Sequence, residues 1–217
     1  MRRKDAGATE DALLVTLLEF QHGAASLDTL KKSTLKVPWA KGFPESQEAF
    51  WNCEAFLWGR KIEHSKRDLI RKEMLRHCSL DSDILDIGSG SYCYLPSIAF
   101  DCSVKMLQMN DTVVQKILGD LTKKWSFEDD SFDFVTAIFV LNYLEDLEFI
   151  FSEVKRVLRN SGKFVVVLSA TGVSELHQMH EKQQHCFTSW KNLFHAAFSS
   201  VELYEKEGLW FFVCNKQ

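Results

Sequence analysis

The feature that most constrains the fold of this chain is an apolar segment that runs directly into two glycines. Residues 83–90 read DILDIGSG, and the first half of this segment has the composition of a short buried strand. Gly88 and Gly90 then permit a tight turn in which a ligand can approach bare backbone. Ordinary strand-to-helix turns also use glycine, so this motif alone leaves two interpretations open: a site for a nucleoside-bearing ligand and a structural turn.

Further strand-like segments follow in an order typical of an open α/β sheet. The apolar residues 98–100 end at Asp101, whose carboxylate can accept both hydroxyls of a ribose at the carboxyl end of a second strand. Residues 134–141 and 163–168 are two more apolar runs. Between them, residues 156–162 (RVLRNSG) predict the end of a helix, with a basic last turn and a glycine stop.

Four motifs therefore occur in a fixed order between residues 83 and 169. They read DILDIGSG, AFDCSVKML, GDLTKKWSFEDDSFDFVTAIFVLNYLED and RVLRNSGKFVVVLS. In this order they resemble the class I S-adenosylmethionine-dependent methyltransferases, particularly the small-molecule branch with type 11-like domains. The resemblance implies an α/β fold with a seven-stranded sheet, parallel apart from its last strand, that binds S-adenosylmethionine and transfers its methyl group to a small molecule by direct displacement.

The resemblance also implies roles for individual residues. The implied cofactor-binding residues are Asp86, Gly88, Gly90, Asp101, Asp120, Leu121, Ala137 and Ile138. Asp86 and the two glycines would hold the methionine part of the cofactor, and Asp101 would hold the ribose. Asp120 would receive the adenine amino group, with the backbone of Leu121 against the adenine ring. The backbone of Ala137 and Ile138 would approach the methionyl amine.

The acceptor side of the site is predicted from aromatic and polar residues. Asn142 and Tyr143 fall where relatives place acceptor-facing side chains, although capping and packing at the end of a strand explain them equally well. Trp51 and Trp58 belong to a second helix that begins at about Ser46, and as part of a lid they would exclude water. Together with Trp39 they would also face a cationic or aromatic acceptor. The alternative is that these rings are ordinary core.

The chemistry requires alignment of the reacting atoms and no covalent enzyme residue. A base helps only if the acceptor loses a proton, and Tyr143 and His180 are the candidate catalytic residues. His180 has two histidine neighbours, His177 and His185. These histidines show no second ligand pair at a zinc spacing, so no metal site is predicted. The alternative to a catalytic role for His180 is a position on a solvated helix.

Two departures from the family pattern concern the first motif. Tyr92 stands where the family usually has a third glycine, and only ten residues separate Gly90 from Asp101. A parallel crossover normally needs at least about ten to twelve residues, so the first crossover is predicted to be shortened to about one turn. This argues against a nicotinamide dinucleotide, whose pyrophosphate relies on a full helix N-terminus. The departures also leave a non-catalytic cofactor-binding partner protein as an alternative.

Composition and patterning define the rest of the chain. The 217 residues are divided into a helical cap (1–78) and a methyltransferase core (79–217). In the cap, residues 9–22 predict an amphipathic helix and residues 36–44 a loop. Residues 187–198 predict a helix, and residues 201–205 and 209–214 a closing hairpin.

Charge and cysteine usage exclude several classes of function. The net charge is −4, and the basic residues between 60 and 72 are interspersed with acidic and apolar ones, so a nucleic-acid partner is not expected. A methyltransferase acting on RNA or protein stays an alternative, although the chain lacks the Asn/Asp-Pro-Pro-Tyr motif with which some members of the family act on planar amino groups.

The cysteines and the apolar runs predict where the protein is found. The chain has six cysteines without a Cys-x-x-Cys pair, no secretory leader and no long apolar run, and these features predict a soluble cytoplasmic protein. The oligomeric state is not predicted.

Overall fold

The computed structural model describes residues 3–183 and 186–216, which form a seven-stranded sheet with helices on both faces. The strands are β1 (Ile84–Ile87), β2 (Ile98–Asp101), β3 (Gln115–Leu118), β4 (Phe132–Ile138), β5 (Leu158–Ser169), β6 (Ser200–Lys206) and β7 (Leu209–Asn215). Their order in the sheet is β3-β2-β1-β4-β5-β7-β6, and β7 runs antiparallel to both of its neighbours. The predicted fold class, parallel except for the last strand, is therefore confirmed.

The helices are α1 (Arg3–Gln21), α2 (Leu27–Thr34), α3 (Gln47–Lys61), α4 (His64–Met74), α5 (Val104–Met109), α6 (Leu147–Val157), α7 (Glu175–Gln178) and α8 (Phe187–Ala197). Ser46 caps α3 as the sequence predicts, because its hydroxyl oxygen accepts the N–H of Ala49. The short α2 was not predicted, although Ser26 caps it in the same way. Among the described residues, no helix combines the length and the apolar character needed to cross a membrane.

The two faces of the sheet are covered by different helices. Successive side chains of β1 point to opposite faces, so Leu85 packs with the cluster that contains α6 and α8. Ile84 packs on the other face, together with Leu69, Ile70 and Met74 of α4. Helix α4 lies within residues 1–78 but packs against the sheet, and the division of the chain at residue 78 stays a prediction.

The first three helices form a separate apolar cluster that docks on the core beside α5. Asn52 of α3 is the central polar contact. Its side-chain oxygen accepts a hydrogen bond from the hydroxyl of Ser103 (2.8 Å) and another from the N–H of Lys105 (3.3 Å), and its amide donates to the carbonyl of Trp39 (3.0 Å). This buried amide fixes α3 over the carboxyl ends of the first strands.

The crossover from β1 to β2 is as short as predicted. Residues 88–97, all of which are described, contain no helix. The N–H of Gly88 turns back instead and donates to the carbonyl of Phe100 (2.8 Å). The glycine turn faces the cap at close range: a Cβ on Gly90 would lie 3.7 Å from the indole ring of Trp58.

The predicted glycine stop after α6 is wrong. The helix ends at Val157, and the chain enters β5 directly at Leu158, which has extended backbone angles. Gly162 lies in the irregular start of β5, where a Cβ would come within 2.9 Å of the carbonyl oxygen of Arg159. The glycine is required by this close approach within the strand and not by a helix terminus.

A buried carboxylate on α4 gives the fold a testable pH dependence. Glu73 is 2% exposed and contacts Lys206 (2.7 Å), Arg76 (2.7 Å) and the hydroxyl of Tyr204 (3.0 Å). Burial opposes its ionisation, but these three hydrogen bonds outweigh burial and lower its pKa to about 2. The ionised Glu73 therefore contributes to the free energy of unfolding above its unfolded pKa of about 4.5, and this contribution is lost as the pH falls toward 2.

We expect Glu73→Gln to lower the free energy of unfolding by about 1–3 kcal/mol at pH 7. Urea denaturation at several pH values measures this, with the exposed Glu128→Gln as the matched control. The difference between Glu73→Gln and the native chain should shrink as the pH approaches 2. A difference that is the same at pH 7 and pH 3 would contradict the assignment.

Candidate functional site

A cleft of about 710 Å³ opens at the carboxyl ends of β1, β2 and β4, beneath α3. Ligands of open α/β sheets bind at this edge, and small-molecule sites have volumes of about 300–1,000 Å³. The predicted site residues that line the cleft are Trp51, Trp58, Asp86, Gly88, Gly90, Asp101, Asp120, Leu121, Ile138 and Tyr143. The structure thus brings the predicted donor residues other than Ala137, and three predicted acceptor residues, to one place.

The glycine turn forms one wall of this cleft. Gly88 and Gly90 both have φ of +60°, in the left-handed region that favours glycine. A Cβ on Gly88 would lie 2.2 Å from a methyl group of Val140, so no side chain fits there without displacing the loop after β4. The turn therefore presents backbone to any ligand in the cleft.

Asp101 links the glycine turn to β2. One carboxylate oxygen accepts the N–H of Gly90 and the other accepts the N–H of Ser103, each at 2.8 Å. Burial raises the pKa of Asp101, while these backbone hydrogen bonds oppose the rise. A carboxylate accepts about four hydrogen bonds, so Asp101 retains capacity for the hydroxyls of a ligand.

Asp86 lies deeper in the cleft and is 3% exposed. It accepts a hydrogen bond from the hydroxyl of Thr136 on β4 (2.6 Å). Burial raises its pKa to about 7 and the charge of Asp101 adds to the rise, against opposing hydrogen bonds from Thr136 and Cys93. A ligand cation placed here would favour the ionised form of Asp86.

Asp120 lies at the more exposed end of the cleft, after β3. Burial opposes its ionisation, but hydrogen bonds from Thr122 and the ion pair with Lys123 (3.1 Å) outweigh burial and lower its pKa. The neighbouring side chain of Leu121 lines the cleft and is buried. This arrangement is suited to a nucleobase, whose amino group would donate to the carboxylate and whose flat ring would pack on the apolar side chain.

The end of β4 differs in detail from the prediction. Ile138 lines the cleft, whereas Ala137 is fully buried in the sheet and is not among the described residues of the lining. The loop residues Phe139, with φ of +56°, and Val140 line the cleft instead. Their position directly after an apolar strand is the sequence signal that would have identified them.

Tyr92 lines the cleft without filling it. The ring packs edge-on against Tyr94 (5.1 Å between centroids), and the guanidinium of Arg67 lies 4.5 Å from its centroid. Arg67 belongs to α4, which packs on the face of the sheet. The ring that replaces the family's third glycine is therefore held against the wall by a cation–π contact.

Three aromatic rings form the cap side of the cleft. Trp51 lies edge-on to Trp58 (6.2 Å, 82°) and to Tyr143 (4.8 Å, 78°), and all three line the cleft. The predicted lid position of Trp51 and Trp58 is thus consistent with the structure. Trp39 has a different position, because it stacks on Phe56 (5.5 Å) and is not among the described lining residues.

Two predicted polar residues lie outside the described lining of the cleft. Asn142 is buried, and its amide donates to Glu181 (2.9 Å). His180 is also buried, where it stacks on Phe50 (4.2 Å) and donates from Nε2 to the carbonyl of Pro44 (2.8 Å). The structure therefore does not bring His180 to the reacting region.

His177, the other candidate histidine that the structure describes, has polar partners of its own. His177 is buried behind the aromatic rings, with Nε2 3.3 Å from Glu54 and Nδ1 2.9 Å from the hydroxyl of Ser174. His185 lies outside the described residues. Among the residues that the structure does describe, no group of three or more potential ligands could hold a metal ion.

The charge of the cleft favours a cationic ligand. Four carboxylates line it: Glu48, Asp86, Asp101 and Asp120. Lys123 is the one lysine or arginine in the described lining, and it is already paired with Asp120. Glu48 was not predicted, because its place on the exposed side of α3 gives no sequence signal.

Comparison with known proteins finds similarity to methyltransferases in the middle of the chain. Residues 85–166 match a family model described as a methyltransferase domain. A sterol 4-C-methyltransferase of Caenorhabditis elegans is 34% identical over 86 residues, which are 39% of this chain and 26% of the relative. A demethylmenaquinone methyltransferase of Mycobacterium marinum is 39% identical over 89 residues, which are 41% of this chain and 36% of the relative.

Both alignments span well under half the length of these curated relatives. A solved methyltransferase structure from Methanococcus maripaludis is 18% identical and supports the fold, with a TM-score of 0.56 over 81% of this chain and 98% of the other. These matches agree with the strand order, the glycine turn and the cleft at the carboxyl ends of the strands. Residues 85–166 are therefore similar to a methyltransferase domain, and the chain shares the fold of solved methyltransferases.

Proposed function

We propose that this chain transfers a methyl group from S-adenosylmethionine to a small-molecule acceptor. The observation that carries the proposal is the convergence of Asp86, Asp101 and an open glycine turn in one acidic cleft. S-adenosylmethionine carries an ammonium and a sulfonium, a ribose with two hydroxyls and an adenine. The cleft offers a complementary group for each of them.

The residues present fit this cofactor. Asp101 would accept the ribose hydroxyls, and the buried Asp86 would lie on the side of the ammonium group. Asp120 and Leu121 would hold the adenine, because the first supplies an acceptor and the second an apolar surface. Tyr92 leaves the cleft open, which supports binding in spite of the missing glycine.

When bound, the cofactor supplies an activated methyl group on a good leaving group, and the protein aligns the acceptor with it. The aromatic rings on α3 would exclude water from the reacting region. Burial raises the pKa of Tyr143 above its ordinary value, so its phenol stays protonated and can donate a hydrogen bond to the acceptor. Tyr143 is thus proposed to orient the acceptor and not to act as a base.

The proposed acceptor is a small molecule with an apolar ring system. Trp51, Trp58 and Tyr143 provide flat apolar surfaces at the open side of the cleft. The names of the two relatives, a sterol and a demethylmenaquinone methyltransferase, both refer to ring compounds. The four carboxylates oppose the approach of a phosphate backbone, which disfavours RNA as the acceptor. A cytoplasmic location stays a prediction.

Transfer of a labelled methyl group tests this proposal. The purified chain is incubated with methyl-labelled S-adenosylmethionine and a cell extract that has been separated into small-molecule, RNA and protein fractions. We expect label in an organic-soluble compound of the small-molecule fraction, with Asp101→Ala as the inactive control. Label only in RNA or protein would overturn the acceptor class, and no label in any fraction would favour a non-catalytic protein.

A further inference from the structure

Three aromatic rings of the cleft pack against one another in the perpendicular arrangement that aromatic pairs favour. We define the aromatic corner as Trp51, Trp58 and Tyr143. Trp51 is nearly perpendicular to both of the other rings, at 82° and 78°, and each ring also lines the cleft. The faces of aromatic rings attract cations that lie within about 6 Å of the ring centroid.

The aromatic corner stands beside the glycine turn. A Cβ on Gly90 would lie 3.7 Å from Cδ1 and Nε1 of Trp58 and 3.8 Å from the sulfur of Met106. The corner is therefore next to the segment that would hold the methionine part of the donor, and not only at the outer rim of the cleft. A ligand group at this point would meet both bare backbone and an indole.

A buried polar cluster behind the corner holds the rings in place. The His177 ring lies 6.1 Å from Trp51, 6.1 Å from Trp58 and 6.4 Å from Tyr143. Its Nε2 contacts the buried Glu54, which is also paired with Lys61. Because these partners pack against the rings and are not among the described residues of the lining, they hold the corner in place from outside the cleft.

We infer that the aromatic corner makes the cleft bind the cationic donor in preference to the neutral product of the reaction. This inference rests on the proposed function. When the methyl group leaves, the electrons of the S–CH₃ bond stay on sulfur, so S-adenosylhomocysteine has a neutral thioether where S-adenosylmethionine has a sulfonium. Cation–π attraction acts on the sulfonium, whereas the neutral thioether keeps only the weaker sulfur–aromatic contact, so the product is released more readily.

Separate titrations of Trp58→Leu with S-adenosylmethionine and S-adenosylhomocysteine test the inference. We expect the affinity for S-adenosylmethionine to fall by about 3- to 30-fold, while the affinity for S-adenosylhomocysteine falls by a smaller factor. Trp58→Phe should retain most of the preference. Trp39→Leu is the matched control, because Trp39 stacks on Phe56 outside the described lining and its loss should leave the preference unchanged.

A second measurement avoids any dependence on the folding of these variants. Incorporation of monofluoro- and trifluorotryptophan weakens the negative face of the indole with little change of shape. The preference for S-adenosylmethionine should then decrease stepwise with fluorination. An equal loss of both ligands in Trp58→Leu, or a preference that does not respond to fluorination, would overturn the inference. If the native chain binds neither ligand, the proposed function itself fails.

Discussion

Replacing Asp101 by alanine is expected to weaken the binding of S-adenosylmethionine by about 100-fold or more. Hydrogen bonds to a charged group contribute about 1.5–3 kcal/mol each, and two ribose hydroxyls would lose this acceptor. The substitution also removes the acceptor of the buried N–H groups of Gly90 and Ser103, which loosens the glycine turn. Isothermal titration of Asp101→Ala with S-adenosylmethionine measures the effect.

Two variants make the interpretation specific. Asp111→Ala removes an exposed carboxylate and should bind the cofactor as the native chain does. Asp120→Ala should weaken binding less than Asp101→Ala, because Asp120 is 39% exposed and already paired with Lys123. Affinity within about twofold of the native value for a folded Asp101→Ala would show that the ribose is not placed at the end of β2.

The affinity for S-adenosylmethionine is expected to rise with pH, by up to about tenfold per unit below pH 7 and little above pH 8. The cause is Asp86, whose pKa is raised to about 7 by burial, with a contribution from the charge of Asp101. Asp86 must lose its proton before it can pair with the cationic donor.

The raised pKa of Asp86 also affects the stability of the protein without ligand. Because the folded pKa lies above the unfolded value of 3.8, the free energy of unfolding falls as the pH rises from about 4 to about 7.

Titrations between pH 5.5 and pH 8.5 measure this dependence, and Asp86→Asn is the control because it keeps the shape and removes the titrating group. The dependence that remains in Asp86→Asn reports the amino group of the ligand, which titrates near pH 8. The difference between the two curves reports Asp86. Parallel curves for the native chain and Asp86→Asn would rule out this carboxylate as the linked group.

The donor side of the cleft could be predicted from sequence because its residues lie at strand ends. A strand alternates its side chains between two faces, and parallel strands present their carboxyl ends at one edge of the sheet. The resemblance to the family assigned Asp86 and Asp101 to one site at this edge, and both residues line the cleft. The short crossover followed equally from a count of residues.

The acceptor side was less predictable because it depends on contacts between distant segments. The burial of His180 results from its stacking on Phe50 and its bond to Pro44, which belong to the cap and are more than 100 residues away in the chain. The side-chain amide of Asn142 likewise donates to a residue from another segment, Glu181. Nothing in the periodicity near either residue indicates such a partner, and only the folded chain shows which aromatic rings of α3 reach the cleft.

The most direct test of the account is calorimetric titration of the native chain with S-adenosylmethionine at pH 8, at two temperatures so that a zero binding enthalpy at one of them cannot hide the signal. The account predicts one saturable site per chain, for which S-adenosylhomocysteine competes. No saturable heat at either temperature with millimolar ligand, in a chain shown to be folded, would contradict the claim that Asp86 and Asp101 form a binding site for the cofactor.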